Sequence, residues 1–173
     1  MSDASVARGD FNAPRRILPT DRVLDFTCGR PELDTWLQRH SLRAEKQGTS
    51  TVFVVTMPDD SIAGFSSLSA HGIERESTGG GWLARNTPMM IPAVLLGRLS
   101  VAQNAQGRGL GSSLLAHAIA QVAHSSAHIG IRALVVDPID EAAAAFYARY
   151  SFRPFPGDHR RMYIPIRPSI LEP

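Results

Sequence analysis

The stretch Leu99-Ser100-Val101-Ala102-Gln103-Asn104-Ala105-Gln106-Gly107-Arg108-Gly109-Leu110-Gly111-Ser112 decides how this chain is read. It passes from an apolar strand pattern through a polar turn into a glycine-rich loop, and the loop opens directly into an amphipathic helix. Glycines at 107, 109 and 111 leave main-chain amides uncovered by side chains, so an anion can approach them closely. The helix start behind them adds unpaired N–H groups and about half a unit of positive charge. This suits a pyrophosphate, although a tight turn with close packing uses the same residues. A Walker loop is disfavoured because Gly111-Ser112 lacks the lysine that reaches the terminal phosphates. A dinucleotide fingerprint would read G-x-G-x-x-G; here the spacing is Gly107-x-Gly109-x-Gly111, in the second half of the chain.

Outward from that loop, β-like and helix-like patterns alternate. Upstream, Ile17-Leu18 and Val23 to Phe26 read as a short strand and its approach. Pro31 is placed to open a helix over Glu32 to Gln47, with Leu33, Trp36, Leu37 and His40 at helical spacing and Gly48 as its stop. Ser50 to Thr56 and Ile62 to Ser69 form a hairpin around the turn Pro58-Asp59-Asp60-Ser61. His71 to Pro92, with Gly79-Gly80-Gly81 and two prolines, reads as a long connection. Val94 to Val101 is a strong strand, and Leu110, Leu114, Leu115, Ala118, Ile119 and Val122 mark one helix face. Ala133 to Val136 is an all-apolar interior strand. Asp140 caps an alanine-rich helix over 141–150, and Met162 to Ile166 is a last strand whose Pro165 requires an edge or an end. The pattern implies an α/β (α+β) fold, a mixed sheet with helices on both faces.

Composition bounds the alternatives. At 173 residues the chain is long enough for one self-sufficient core. We expect a loose leader over 1–14, a single domain over 15–167 and a tail over 168–173. One cysteine, Cys28, excludes an internal disulfide, and no paired Cys/His spacing suggests a metal site. The polar amino-terminus is no signal peptide, and no apolar run approaches the roughly 20 residues that span a bilayer; a reducing, cytoplasmic setting is expected, with no membrane partner. Net charge is only +2, but 17 of the 18 basic residues are arginine, the side chain whose planar fork suits phosphate. A genomic bias toward arginine would give the same usage. From Phe146 to Arg167 five arginines face a single acid, Asp158.

Four blocks, in order, resemble the GNAT acetyltransferase superfamily, and within it the TacT- and AtaT-like toxins of toxin–antitoxin pairs. They are Cys28-Gly29-Arg30-Pro31-Glu32-Leu33-Asp34-Thr35-Trp36-Leu37; Ala84-Arg85-Asn86 through Ile91-Pro92 to Leu96-Gly97-Arg98-Leu99-Ser100-Val101; Gln106 to Gly111; and Glu141-Ala142-Ala143-Ala144-Ala145-Phe146-Tyr147 with Phe152. Two positions depart: Ser151 stands where the family often has glycine, and Ser100 where alanine is common.

The resemblance implies a mostly antiparallel central sheet whose splayed central strands hold acyl-coenzyme A. It assigns acetyl-CoA, the cosubstrate, to the backbone of Leu99, Ser100 and Val101, to the loop residues Gln106, Gly107, Arg108, Gly109, Leu110, Gly111 and Ser112, and to Phe146. It assigns Tyr147 as the proton donor to the departing thiolate; from the residues alone, Tyr147 reads first as a core aromatic packed with Phe146. It implies acetylation of the amino group of aminoacyl-tRNA, which stops translation, with Arg85, Arg98, Arg149, Arg153, Arg160 and Arg161 as candidate RNA contacts. It also implies a ribbon–helix–helix (DUF1778-type) antitoxin, operator DNA bound only through that antitoxin, and a homodimer. Another amine substrate, small or on a protein, and a non-catalytic coenzyme- or partner-binding module are the competing readings. Asp137, Asp140 and Glu141 have ordinary turn or cap roles open to them, and His117, His124 and His128 are expected to be solvated, without a metal.

Overall fold

The computed structural model describes residues 10–167. Seven strands are hydrogen-bonded in the order β1-β2-β3-β4-β5-β7-β6: β1 Arg15–Arg16, β2 Thr51–Thr56, β3 Ile62–Glu74, β4 Met90–Val101, β5 Ala133–Val136, β6 Arg153–Phe155 and β7 Asp158–Pro165. Four α-helices accompany them: α1 Pro31–Arg39, α2 Ser41–Gln47, α3 Leu110–Ser125 and α4 Glu141–Arg149. The pairs β1–β2, β2–β3, β5–β7 and β6–β7 are antiparallel, whereas β4 and β5 run parallel. A parallel pair needs a crossover, and α3 lies in it. The chain divides into two compact units, residues 10–69 with 98–118 and residues 70–97 with 119–167.

In the first unit, β2 is buried on both faces, with Val52, Val54 and Val55 at 1% exposure or less, as its β-branched run requires. It pairs with β3 from Thr51–Leu68 to Val54–Phe65. The core joins these residues to Phe26, Leu37, Leu110 and Leu114, with Trp36 stacked on Phe65 and Phe26 edge-on to it. Gly64 is set by packing, because a Cβ there would lie 2.9 Å from Leu114 Cδ1 and 3.0 Å from the Ser100 carbonyl. Only a bare backbone lets α3 and the end of β4 pass this close to β3.

The amino-terminal elements differ from expectation. The strand expected at Val23 to Phe26 is a 3-10 turn over Val23–Asp25; the strand is instead Arg15–Arg16. The expected helix over 32–47 is two, broken at His40, whose backbone (φ −121°, ψ −24°) leaves helical geometry. Ser41 supplies a competing bond there, its buried hydroxyl donating to the Leu37 carbonyl at 2.5 Å. Chain expected to be loose already docks at Asn12, whose N–H donates to the Thr56 carbonyl and whose side-chain amide donates to the Thr56 hydroxyl. Residues 1–9 of the expected leader, and the tail 168–173, lie outside the described residues.

The second unit has its own core of Ile73, Leu83, Ile91, Ala93, Ala133, Val135 and Phe155, with Trp82 and Tyr163 packed against it. The expected long connection is shorter than read: β3 runs on to Glu74, a 3-10 turn spans Arg75–Thr78, and β4 begins at Met90. The parallel ladder runs from Ala93–Ala133 to Leu96–Val136, where β5 stops. The carboxy-terminal strand is longer than expected, and β6 was unforeseen; the two form a hairpin in which β7 pairs on its other side with β5. Pro165 is the last residue of β7, opposite Ala133, so its missing N–H falls at a strand end.

Candidate active site

The glycine-rich loop lies in the first unit. After β4 a 3-10 turn over Gln103–Ala105 leads to Gly107 and Gly109, both left-handed (φ 78° and 77°), and then to α3. Ala102 and Gln103 pin the approach: the Ala102 N–H donates to the Ala63 carbonyl and the Gln103 N–H to the Thr27 carbonyl. Gln106 Nε2 donates to the carbonyls of Cys28 and Val101, both at 3.1 Å, so this side chain braces the loop from behind instead of filling it. Arg108 also folds back; its Nη2 donates to the Asn104 carbonyl at 2.9 Å, and its guanidinium lies over Phe11.

The first i→i−4 bond at this helix start joins the Ser113 N–H to the Gly109 carbonyl, so the amides of Gly109, Leu110 and Gly111 precede the helical ladder. Leu110 is buried and turns its side chain into the core, leaving its backbone to the loop. Space is open over Gly107, where a Cβ would meet nothing within 4 Å. These amides and the field of a sixteen-residue helix can hold a diphosphate.

Leu99 and Val101 pack against the first core, and Ser100 is buried beside Cys28. What they can offer a ligand is backbone, as an added strand would use it. Burial pushes the Cys28 thiol up, which makes it a structural residue. Arg98 lies 4.1 Å above the Trp36 ring, half-buried, and desolvation lowers its pKa.

Tyr147 belongs to the second unit. Asp140 starts α4 as its sequence position suggests, accepting from the Ala143 N–H at 2.8 Å. The helix buries Tyr147 between Phe146 (ring centroids 5.3 Å apart) and Phe152 (5.4 Å). The turn that follows holds Ser151 at φ 70°, in the left-handed region that favours glycine; the Phe152 N–H then returns to the Tyr147 carbonyl. Desolvation pushes the Tyr147 phenol up to about 12. It is protonated at neutral pH and chemically a donor.

The candidate arginines separate into two kinds. Arg161 is committed: its Nε and Nη2 bind both oxygens of Asp137 at 2.8 and 2.9 Å, and its Nη1 donates to His71 Nε2 at 3.0 Å. That pair holds the Asp137 carboxyl below its ordinary range, first through the hydrogen bond from Arg161. Burial, then the Arg161 charge, lowers His71. Arg85, Arg149, Arg153 and Arg160 are exposed or nearly so. Arg149 lies 5.9 Å from the Phe146 ring, and Arg160 makes only a loose 3.9 Å contact with Asp158. The Asp137–Arg161–His71 cluster was missed by reading residues singly. Its signal was the pairing of the two strands, which extends from Val136–Met162 to set Asp137 opposite Arg161.

His117 corrects the expectation of three solvated histidines. Its ring packs edge-on against Phe53, with centroids 4.8 Å apart, and burial lowers its pKa. His124 and His128 are exposed and touch each other. Among the described residues, no three His, Cys, Asp or Glu side chains converge as a metal site, and no helix is long and apolar enough to cross a membrane.

Comparison with known proteins gives three consistent findings. A family model described as an acetyltransferase (GNAT) domain matches residues 48–154. The chain is 40% identical over 148 residues to a tRNA-acetylating toxin of Mycobacterium tuberculosis, covering 86% of this chain and 88% of that protein. Among solved structures, AtaT complexed with acetyl-methionyl-tRNA is 26% identical with a TM-score of 0.82, covering 90% of this chain and 95% of that one. A variant AtaT toxin bound to the C-terminus of the antitoxin AtaR and to acetyl-CoA is 25% identical with a TM-score of 0.76, covering 91% and 94%.

Proposed function

The chain belongs to the GNAT acetyltransferase family, and from that premise we propose that it transfers acetyl from acetyl-CoA to the amino group of an aminoacyl-tRNA, removing it from translation. The observation that carries this reading is the extent of the match to the mycobacterial tRNA-acetylating toxin, 40% identity across 86% of the chain. The helix-start amides, with open space over Gly107, fit a diphosphate independently of it.

Bound acetyl-CoA supplies a thioester, an acyl group activated toward an amine. In this reading the amides of Gly109, Leu110 and Gly111 bind its diphosphate, the backbone of Leu99 to Val101 aligns its arm, and Phe146 lines its reactive end. The Tyr147 hydroxyl holds the proton that the departing sulfur needs. No dedicated base is required, since an α-amine titrates at about 7.7–8.0 and roughly a tenth or more of it is already neutral at pH 7. Asp137 is held by Arg161 and Asp140 caps α4, which supports leaving both out of the proton path.

Arg85, Arg149, Arg153 and Arg160 are the candidates for contact with the tRNA backbone. A ribbon–helix–helix antitoxin, with operator DNA reached through it, a homodimer and a cytoplasmic location complete the reading. The test is incubation with labelled acetyl-CoA and a pool of charged tRNAs, followed by identification of the acetylated amino acid. Tyr147→Phe should lower turnover by about 10²–10⁴-fold while calorimetry finds coenzyme affinity unchanged. Label entering polyamines or peptides but no aminoacyl-tRNA would overturn the substrate; full turnover by Tyr147→Phe would overturn the proton donor.

A further inference from the structure

Within the second unit two guanidinium groups converge on one indole. Arg132 lies 3.7 Å from the centroid of the Trp82 ring and Arg167 lies 5.6 Å from it. Arg132 is pinned there, because its Nη2 donates to the Trp82 carbonyl at 2.7 Å and reaches the Arg85 carbonyl at 3.4 Å. The Arg85 N–H in turn donates to the Trp82 carbonyl, so the exposed Arg85 rises from the same short turn. Among the described residues, none of these three arginines is ion-paired to a carboxylate. The sequence explains the lack of compensation: no Asp or Glu occurs anywhere from position 77 to 136.

Two like charges at one ring, with the exposed Arg85 on the turn that carries it, repel one another, and the negative face of the indole offsets that only in part. A bound anion would relieve the repulsion. The side chains also need little ordering when it arrives, since Arg132 is already fixed by its carbonyl acceptors and Arg167 lies near the ring. We propose that the Arg85, Arg132 and Arg167 cluster around Trp82 is a docking site for the phosphate backbone of RNA, and that it holds the tRNA whose amino acid is acetylated. This rests on the substrate proposed above and adds to it a surface.

The chemistry favours phosphate over an acidic peptide. The Trp82 ring carries the Arg132 guanidinium instead of offering an open face to an apolar side chain. Exposed apolar ground in this unit is offered by Met89, Met90, Ile129 and Ile139, and the two methionines border a pocket that also holds Glu74, Arg75 and Glu76. A peptide anchored by apolar side chains would select that ground, whereas a phosphate chain selects the arginines. Arginine–phosphate pairing of this kind positions RNA without reading its bases.

The test uses the full chain with Arg85→Ala and Arg167→Ala singly and together, and with both replaced by lysine; Arg132 is left intact because it braces the turn. Binding of uncharged tRNA is measured across a salt series, acetyl-CoA affinity by calorimetry, and acetylation of charged tRNA at limiting substrate. We expect the double alanine variant to bind tRNA about 10-fold or more weakly, with a salt slope shallower by roughly 0.7–0.9 for each phosphate left without its arginine. Coenzyme affinity should stay at the wild-type value, KM for charged tRNA should rise more than kcat falls, and the lysine pair should recover most of the slope. Wild-type tRNA binding and slope in the double alanine variant would overturn the docking site while leaving the acetylation reading intact. A loss of binding with no change in slope, or coenzyme affinity weakened in parallel, would make the cluster structural and overturn the site equally. Loss of binding to an acidic peptide of the antitoxin, with tRNA unaffected, would assign the patch to protein. Wild-type protein that acetylates no charged tRNA would instead sink the substrate reading.

Discussion

Burial of the Tyr147 phenol has a consequence that can be read without any substrate. Desolvation pushes it up to about 12, against about 10 for a tyrosine in the unfolded chain. A group whose folded pKa is raised lends its stability in full below the unfolded pKa and loses it as pH rises through the folded one. The full difference, two units, corresponds to roughly 2.7 kcal/mol, and at pH 11.5 about 2 kcal/mol of it should be gone. Denaturant unfolding of wild type and Tyr147→Phe, at pH 8 and again at pH 11.5, isolates this contribution, because every other titrating group is common to the two proteins. The stability advantage of wild type over the variant should shrink by about 2 kcal/mol between those conditions. The same shift leaves only about one phenol in 10⁴ ionised at pH 8, so turnover should show no tyrosine-dependent decline until pH approaches 12. Parallel stability curves for the two proteins would refute the argument. So would an ultraviolet difference titration, wild type minus Tyr147→Phe, in which the Tyr147 phenol ionises near about 10.

Two further perturbations probe the frame around the site. Gly64→Ala drives a methyl against Leu114 and the Ser100 carbonyl, and should cost about 1–3 kcal/mol in chemical denaturation and weaken coenzyme binding through the displaced end of β4. Asp137→Asn removes the carboxylate that grips Arg161; the pair is partly exposed, so a loss of roughly 0.5–1.5 kcal/mol is expected at neutral pH. Because the Asp137 carboxyl is held below its ordinary range, its contribution is present above about pH 4 and fades as pH falls further. The gap between wild type and Asp137→Asn in acid unfolding should therefore narrow below that point.

Much of the fold was legible because its elements carry their own periodicity. The all-apolar run of β5 matched its structural limits at Ala133 and Val136, and the stripe from Leu110 to Val122 marked the buried face of α3, with only Ile119 left half-buried. The β2–β3 hairpin followed from a β-branched run and a turn of Pro, Asp and Ser. The carboxy-terminal hairpin was only partly legible. Asp158-His159-Arg160-Arg161 has no apolar alternation, and becomes strand because β7 is held between β5 and β6. The break at His40 was likewise hidden, since helical spacing runs through it while Ser41 supplies a competing hydrogen bond.

The chain alone determined that a glycine-rich turn would join a strand to a helix, that the helix would be buried along one face, and that an aspartate would cap the helix bearing Tyr147. Each of these is a local property, written in residues a few positions apart. Which arginines are available, and which are already occupied, was decided only by tertiary structure. Arg161 finds Asp137 across a strand pair and His71 from ninety residues earlier, while Arg132 finds the Trp82 indole fifty residues away. A guanidinium is the same group in both settings. Its role depends on whether a carboxylate or an aromatic face meets it, and that is settled by strand register and packing between residues distant in sequence.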